Sequence, residues 1–197
     1  MKEPIPYNPL DKKNLGLSVT QELSQCPIQP LPPAEAFKGA GIYAIYYKGD
    51  FPAYKPIVNS NEIERQIPIY VGKAIPAGGR KGGITPSIGK VLYRRLVEHA
   101  ESIKQVNNLE LGDFSCRFLL VDDIWIPLGE NLLIEQYKPL WNTVIDGFGI
   151  HDPGSGRYNQ RVSSWDVLHP GRSWANRCKP SSKTLDDILK DIKSFFG

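Results

Sequence analysis

A chain of 197 residues and 22.1 kDa fits one domain, or one domain with elaborated ends. Its hydrophobic fraction of 41% is enough for a core and excludes a disordered chain, whereas a formal charge of +3 and a pI near 8.7 say little alone, since many unrelated proteins match them. Cys26, Cys116 and Cys178 lie far apart with no CxxC pair, which argues against a zinc site or disulfide framework, and no apolar stretch of roughly 18 residues occurs, so the expectation is a cytoplasmic protein without a membrane segment.

In chain order, residues 1–38 are rich in proline and polar residues and are expected to wrap the domain surface, with a short helix at Leu15–Leu23 started near Ser18 or Thr20. Gly39–Tyr47, dense in β-branched and aromatic residues, reads as a strand, and Ile67–Gly72 as a second. The two suggest an antiparallel hairpin with a long connection, residues 48–66, that reads as a polar, proline-containing excursion. Residues 76–89 are glycine-rich and basic and read as a loop. Lys90–Ile103 has helical spacing, with Val91, Leu92, Leu96 and Ile103 able to share a face. Phe114–Val121 reads as a third strand and Ile126–Tyr137 as a helix ending before Pro139. Residues 143–180 have little periodicity and read as irregular, packed loops. The chain closes on an amphipathic helix through Leu185, Ile188, Leu189, Ile192 and Phe195, with Thr184 and Asp187 as an N-terminal capping pair.

Charge is unevenly placed. From Lys73 to Lys104 seven Lys or Arg residues face two acids, Glu98 and Glu101, an arrangement that suits either a phosphate-attracting surface or a plain solvated helix face. Arg95 and His99 stand four apart and so share one side of their helix, where a guanidinium can neutralise a phosphoryl oxygen and an imidazole can move a proton. Surface Arg–His pairs are also common without chemistry. Glu130 near the start of its helix is either a dipole-stabilised first-turn glutamate or a hard-oxygen ligand for Mg²⁺. Glu135 is a competing carboxylate, but five residues on it points well around the helix, so the two do not serve one ion. Tyr43 and Tyr70 are strand tyrosines of the ordinary packing kind, unless nearby cations such as Lys73 or Arg95 make a phenolate accessible.

The order of these residues resembles the GIY-YIG nuclease superfamily. The matching segments are Gly41-Ile42-Tyr43, Tyr70-Val71-Gly72-Lys73, Arg95-Leu96 with His99, Glu130-Asn131-Leu132-Leu133-Ile134, and Lys138-Pro139 with Asn142. They span residues 39–145, about half the chain. The 27-residue step from Tyr43 to Tyr70 is much longer than in most family members, and this and the loop at 76–89 resemble the type II restriction endonuclease branch.

That resemblance implies an α+β fold with a small antiparallel sheet of about three strands flanked by helices. It implies a nuclease core at 39–145 with insertions at 48–66 and 76–89, an N-terminal wrapping segment at 1–38, and a C-terminal extension at 146–197 for DNA contact or dimerisation. It implies hydrolysis of a DNA phosphodiester with one Mg²⁺ (Mn²⁺ able to substitute) held by Glu130 rather than Glu135. Tyr43 would take a proton from the attacking water, Arg95 and Tyr70 would contact the phosphate, and His99 would tune the base or be the base itself. Asn142 would orient phosphate or backbone, and Lys73 would act on Tyr43 or on a neighbouring phosphate. DNA contacts are expected from Arg80, Lys81, Lys90, Arg94, Arg157, Arg161, Arg172 and Arg177. The implied partners are double-stranded DNA with a short palindromic site, a GC-rich one being a candidate, a second copy of the chain in a homodimer, and a cognate DNA methyltransferase encoded nearby in a bacterium. A structure-specific repair or recombination endonuclease, and a non-catalytic DNA-binding module of the same fold, are the competing readings.

Overall fold

The computed structural model describes residues 8, 10–60, 67–76, 89–150 and 158–197. Asp11 caps the first helix, α1 (Lys12–Gln25), by accepting from the Lys13 backbone N–H at 2.8 Å. This cap explains why the helix begins earlier than its apolar spacing predicts. The chain then forms β1 (Gln29–Pro30), β2 (Gly41–Tyr47), α2 (Lys55–Ser60), β3 (Tyr70–Ala74), α3 (Val91–Lys104), β4 (Phe114–Leu120), α4 (Ile126–Tyr137), α5 (Leu140–Thr143), α6 (Ser164–Leu168) and α7 (Leu185–Phe196). The capping box between Thr184 and Asp187 forms at the start of α7.

The sheet is antiparallel throughout, in the order β1-β4-β2-β3. The fourth strand, absent from the sequence reading, is only Gln29–Pro30. The proline-rich arm lies extended along β4, and Arg117 Nε donates to the Cys26 carbonyl at 2.9 Å to hold it there. A proline at that place costs no ladder bond because β1 is the sheet edge.

Every residue of β2 is buried. Alternation divides the strand between two cores. Ile42, Ala44 and Tyr46 pack with Leu23 of α1 and Ile126 and Leu133 of α4. Tyr43, Ile45 and Tyr47 face the other side, with Leu92 and Leu96 of α3, Trp141 of α5, Phe148, Trp165 of α6, and Ile188 and Ile192 of α7. The second core thus draws on the C-terminal third of the chain as well as the sheet.

The stretch after β2 differs from the polar excursion expected. Pro52–Tyr54 form a 3₁₀ turn leading into α2, and Tyr54 and Ile57 are buried. Residues 61–66 and 77–88 lie outside the described residues, and with them most of the basic loop expected at 76–89. Tyr54 is anchored by a chain of hydrogen bonds. Trp141 Nε1 donates to Tyr54 Oη at 2.9 Å, and Tyr54 donates in turn to His169 Nε2 at 2.5 Å. His169 Nδ1 donates to Asn108 Oδ1 at 2.9 Å, and Asn108 Nδ2 donates to the Leu168 carbonyl at 2.9 Å. Each link has one donor and one acceptor, which requires a neutral imidazole.

Burial, with Arg172 adding to it, pulls the His169 pKa from 6.5 down to about 3. The unfolded chain therefore binds a proton that the folded chain refuses as pH falls from about 6.5 towards 3, and stability is lost in that window. Urea denaturation of the wild type should show a His169 contribution of roughly 1.4 kcal/mol lost per pH unit, and His169→Gln should flatten the slope between pH 6.5 and 5.

Candidate active site

The two tripeptides meet across the sheet. Tyr43 pairs with Gly72 in the register of β2 and β3, and a Cβ on residue 72 would lie 2.4 Å from Tyr43 Oη. The glycine of the second tripeptide therefore makes room for the tyrosine of the first. α3 crosses this side and supplies His99, whose Nε2 lies 2.6 Å from Tyr43 Oη. Arg95, one turn earlier, lies beside both tyrosine hydroxyls and hydrogen-bonds Tyr43. It also donates from Nη2 to the Gly149 carbonyl at 2.8 Å and from Nη1 to Glu98 Oε2 at 3.2 Å. Tyr70 is half-buried and hydrogen-bonded to Tyr43.

Electrostatics at Tyr43 differ from the sequence expectation. The side chain is 0% exposed, and burial, followed by the neighbouring Tyr70, pushes its pKa well above the ordinary tyrosine value. Arg95 works in the opposite direction without prevailing. A tyrosine in this state moves a proton only in concert with a second group, and the group within hydrogen-bonding reach is His99 Nε2. Lys73 pairs with Glu130. Its Nζ lies 2.6 Å from Glu130 Oε2.

Glu130 and Glu135 are separated by geometry. Glu130 has a side chain 16% exposed and lies close enough to Tyr43 and Tyr70 to act on both electrostatically. Glu135 is 62% exposed and pairs with Lys12 of α1, away from the tyrosines. Among the described residues no cluster of three or more His, Cys, Asp or Glu side chains stands ready for a metal. A half-sheltered carboxylate suits Mg²⁺, a hard ion that commonly takes one or two carboxylates and completes its shell with water and phosphate oxygens, provided the ion displaces the Lys73 ammonium that pairs with it here.

Asn142 has a structural task. Its Oδ1 accepts from the Val71 N–H and its Nδ2 donates to the Val71 carbonyl, both at 2.8 Å. β3 is a sheet edge, and these bonds satisfy the outward-facing backbone of the strand that carries Tyr70, Gly72 and Lys73.

Residues the sequence reading passed over complete the site. The Phe148 ring stacks on His99 with centroids 4.5 Å apart and planes 17° from parallel, and meets Tyr70 edge-on at 5.0 Å. Gly149 closes over Tyr70, because a Cβ there would lie 2.6 Å from the Tyr70 hydroxyl. The signal present in the sequence was the Gly147-Phe148-Gly149 run, an aromatic bracketed by glycines just past Asn142.

The residues expected to meet DNA divide. Lys90 and Arg94 are exposed at the start of α3. Arg161 is exposed and donates to the Pro180 carbonyl at 3.1 Å, and Arg177, also exposed, lies over the Tyr158 ring at 5.4 Å. Arg80, Lys81 and Arg157 lie outside the described residues. Arg172 is a correction. It is 2% exposed and bonded to Asp166 at 2.6 Å, so its guanidinium cannot reach a base or a phosphate.

A GIY strand packed antiparallel against a YVG strand, with an arginine and a histidine on the covering helix and one glutamate at the next helix, defines a GIY-YIG nuclease domain. The family model of the Eco29kI GIY-YIG domain matches residues 35–196, and the chain belongs to that family, one of type II restriction endonucleases. The match includes the C-terminal third that the second core draws on. No curated protein matches the chain. No described helix is long and apolar enough to cross a membrane.

Replacing Asn142 with leucine should leave the Val71 N–H and carbonyl without partners and lower stability by about 2–4 kcal/mol in urea denaturation. Asn142→Asp, which keeps the acceptor alone, should fall between the two.

Proposed function

We propose that the protein is a site-specific double-stranded DNA endonuclease of the type II restriction kind, hydrolysing phosphodiesters with one divalent metal ion at Glu130. The observation that carries this reading is the Tyr43–His99 contact of 2.6 Å, with Arg95 on its open side and Glu130 close by. An attacking water gives its proton to the tyrosine pair as Tyr43 passes its own to His99 Nε2, so no free phenolate need form. Because Tyr43 has no exposed surface, Tyr70, a residue that is only partly buried, is the entry point of this relay. Arg95 then faces the phosphoryl oxygens as negative charge grows on them and the bond to the leaving oxygen breaks. Glu130 would hold the Mg²⁺, which would supply Lewis-acid neutralisation of charge on the phosphate and leaving group. Lys73, released from Glu130, is placed to hold a neighbouring phosphate.

Exposed Lys90, Arg94, Arg161 and Arg177 give the protein cations for the DNA backbone and bases. The target is a short palindrome with a GC-rich sequence as a candidate, read by a homodimer whose symmetry mirrors the site, and a cognate methyltransferase protects the host.

Plasmid DNA with Mg²⁺ should give discrete bands. Nicking confined to branched or damaged DNA would instead identify a repair or recombination enzyme, and binding without cleavage under any divalent ion would identify a DNA-binding module. Glu130→Gln should lose cleavage while keeping DNA affinity in Ca²⁺, and Glu135→Gln should retain cleavage. Tyr43→Phe and Tyr70→Phe should each lose on the order of 10²-fold or more in rate, and full activity in Tyr70→Phe would remove it from the relay.

A further inference from the structure

We infer that Arg172 and Asp166 form a buried clamp that positions the 147–150 segment, and through it Arg95 and His99, for DNA cleavage; this deepens the nuclease reading above and rests on it. Arg172 is the only arginine among the described residues with a side chain sealed in the core. Its Nε and Nη2 bind the two carboxylate oxygens of Asp166 at 2.6 and 2.7 Å. The remaining donors go to the segment: Nη2 to the Gly147 carbonyl at 3.0 Å, and Nη1 to the Ile150 carbonyl at 2.7 Å and the Phe148 carbonyl at 3.5 Å. Trp165 and Trp174 cover the guanidinium, 4.5 and 4.7 Å from its centre. Asp166 is itself held by the Ser163 hydroxyl at 2.6 Å.

Three carbonyls of the segment therefore turn inward to one cation, while the fourth, that of Gly149, turns to Arg95 Nη2 at 2.8 Å. Between them the Phe148 ring lies flat on His99. The clamp touches no reacting atom, so Arg172 and Asp166 are positioning residues. A buried ion pair is a poor source of net stability because desolvation offsets most of its attraction, but its fixed fork geometry specifies where a backbone runs.

The test is single-turnover cleavage by full-length Arg172→Lys, with DNA affinity measured in Ca²⁺ and folding checked by circular dichroism. Lysine keeps the charge opposite Asp166 and loses the fork. The expected result is a single-turnover rate at saturating enzyme lower by about 10²-fold, with DNA affinity within about twofold of wild type. A folded variant with wild-type rate overturns the clamp, as does a rate loss explained entirely by weaker DNA binding, which would make Arg172 a DNA contact after all. If Arg172→Lys does not fold, Phe148→Leu decides from the other end of the device. It leaves the clamp intact and removes the stack on His99, and an unchanged rate overturns the proposal. Wild-type protein that cuts no DNA would fail the nuclease reading and the clamp with it, whereas active wild type with indifferent variants fails the clamp alone.

Discussion

The burial of β2 on both faces is the constraint on which the rest depends. A strand with helices on each side must place apolar or internally satisfied side chains at every position, and this one carries three tyrosines. Period-two alternation sends Tyr43 to the α3 side and Ile42 to the α4 side, so Tyr43 is delivered into a closed layer rather than onto a surface. Its hydroxyl then needs a partner inside that layer. His99 meets the need, and in doing so creates a route for a proton. The chemistry of the site follows from satisfying a polar group that the fold had to bury.

The same core contains a second tyrosine–histidine pair, and the contrast shows what turns such a pair into a site. Tyr54 and His169 are as close as Tyr43 and His99, and as deeply buried. Around Tyr54, however, Trp141 and Asn108 use the remaining donors and acceptors, and both ends of the chain of bonds terminate in protein. Around Tyr43 the next groups outward are the half-buried Tyr70, the Arg95 guanidinium, and the Lys73–Glu130 pair. One network ends in structure and serves stability. The other ends in the charged side chains of Arg95, Lys73 and Glu130.

Local pattern made much of the scaffold legible. Ile126–Tyr137 was bounded by the proline after it, the Thr184–Asp187 cap marked the start of α7, and the order of Tyr43, Tyr70, Arg95, His99 and Glu130 named the family before any geometry was known. The failures share a cause. The stretch 48–60 looked polar because its lysines and prolines are what a local reading weighs, whereas its structure is set by Tyr54 meeting Trp141 and His169 from distant parts of the chain. Arg172 looked like a DNA contact because an arginine in an irregular, basic segment usually faces solvent. Only the meeting of Asp166, Trp165 and Trp174 around it reveals otherwise, and no periodicity encodes that meeting.

The boundary between nuclease core and C-terminal extension is affected most by these long-range contacts. The motif residues end at Asn142, which invites a division there. Yet Asn142 is only the first of a series of supports that continue past it. Asn142 fixes the edge strand bearing Tyr70, the Phe148 ring fixes His99, and the Gly149 carbonyl fixes Arg95. Each is anchored further along the chain, the last two by a guanidinium that α6 and the turn after it enclose. A catalytic helix held from one side by the sheet alone would leave Arg95 and His99 free to swing on long side chains. Packing the C-terminal third against the opposite side removes that freedom, and this gives a physical reason for the family match to run through residue 196 rather than stop at the last motif residue.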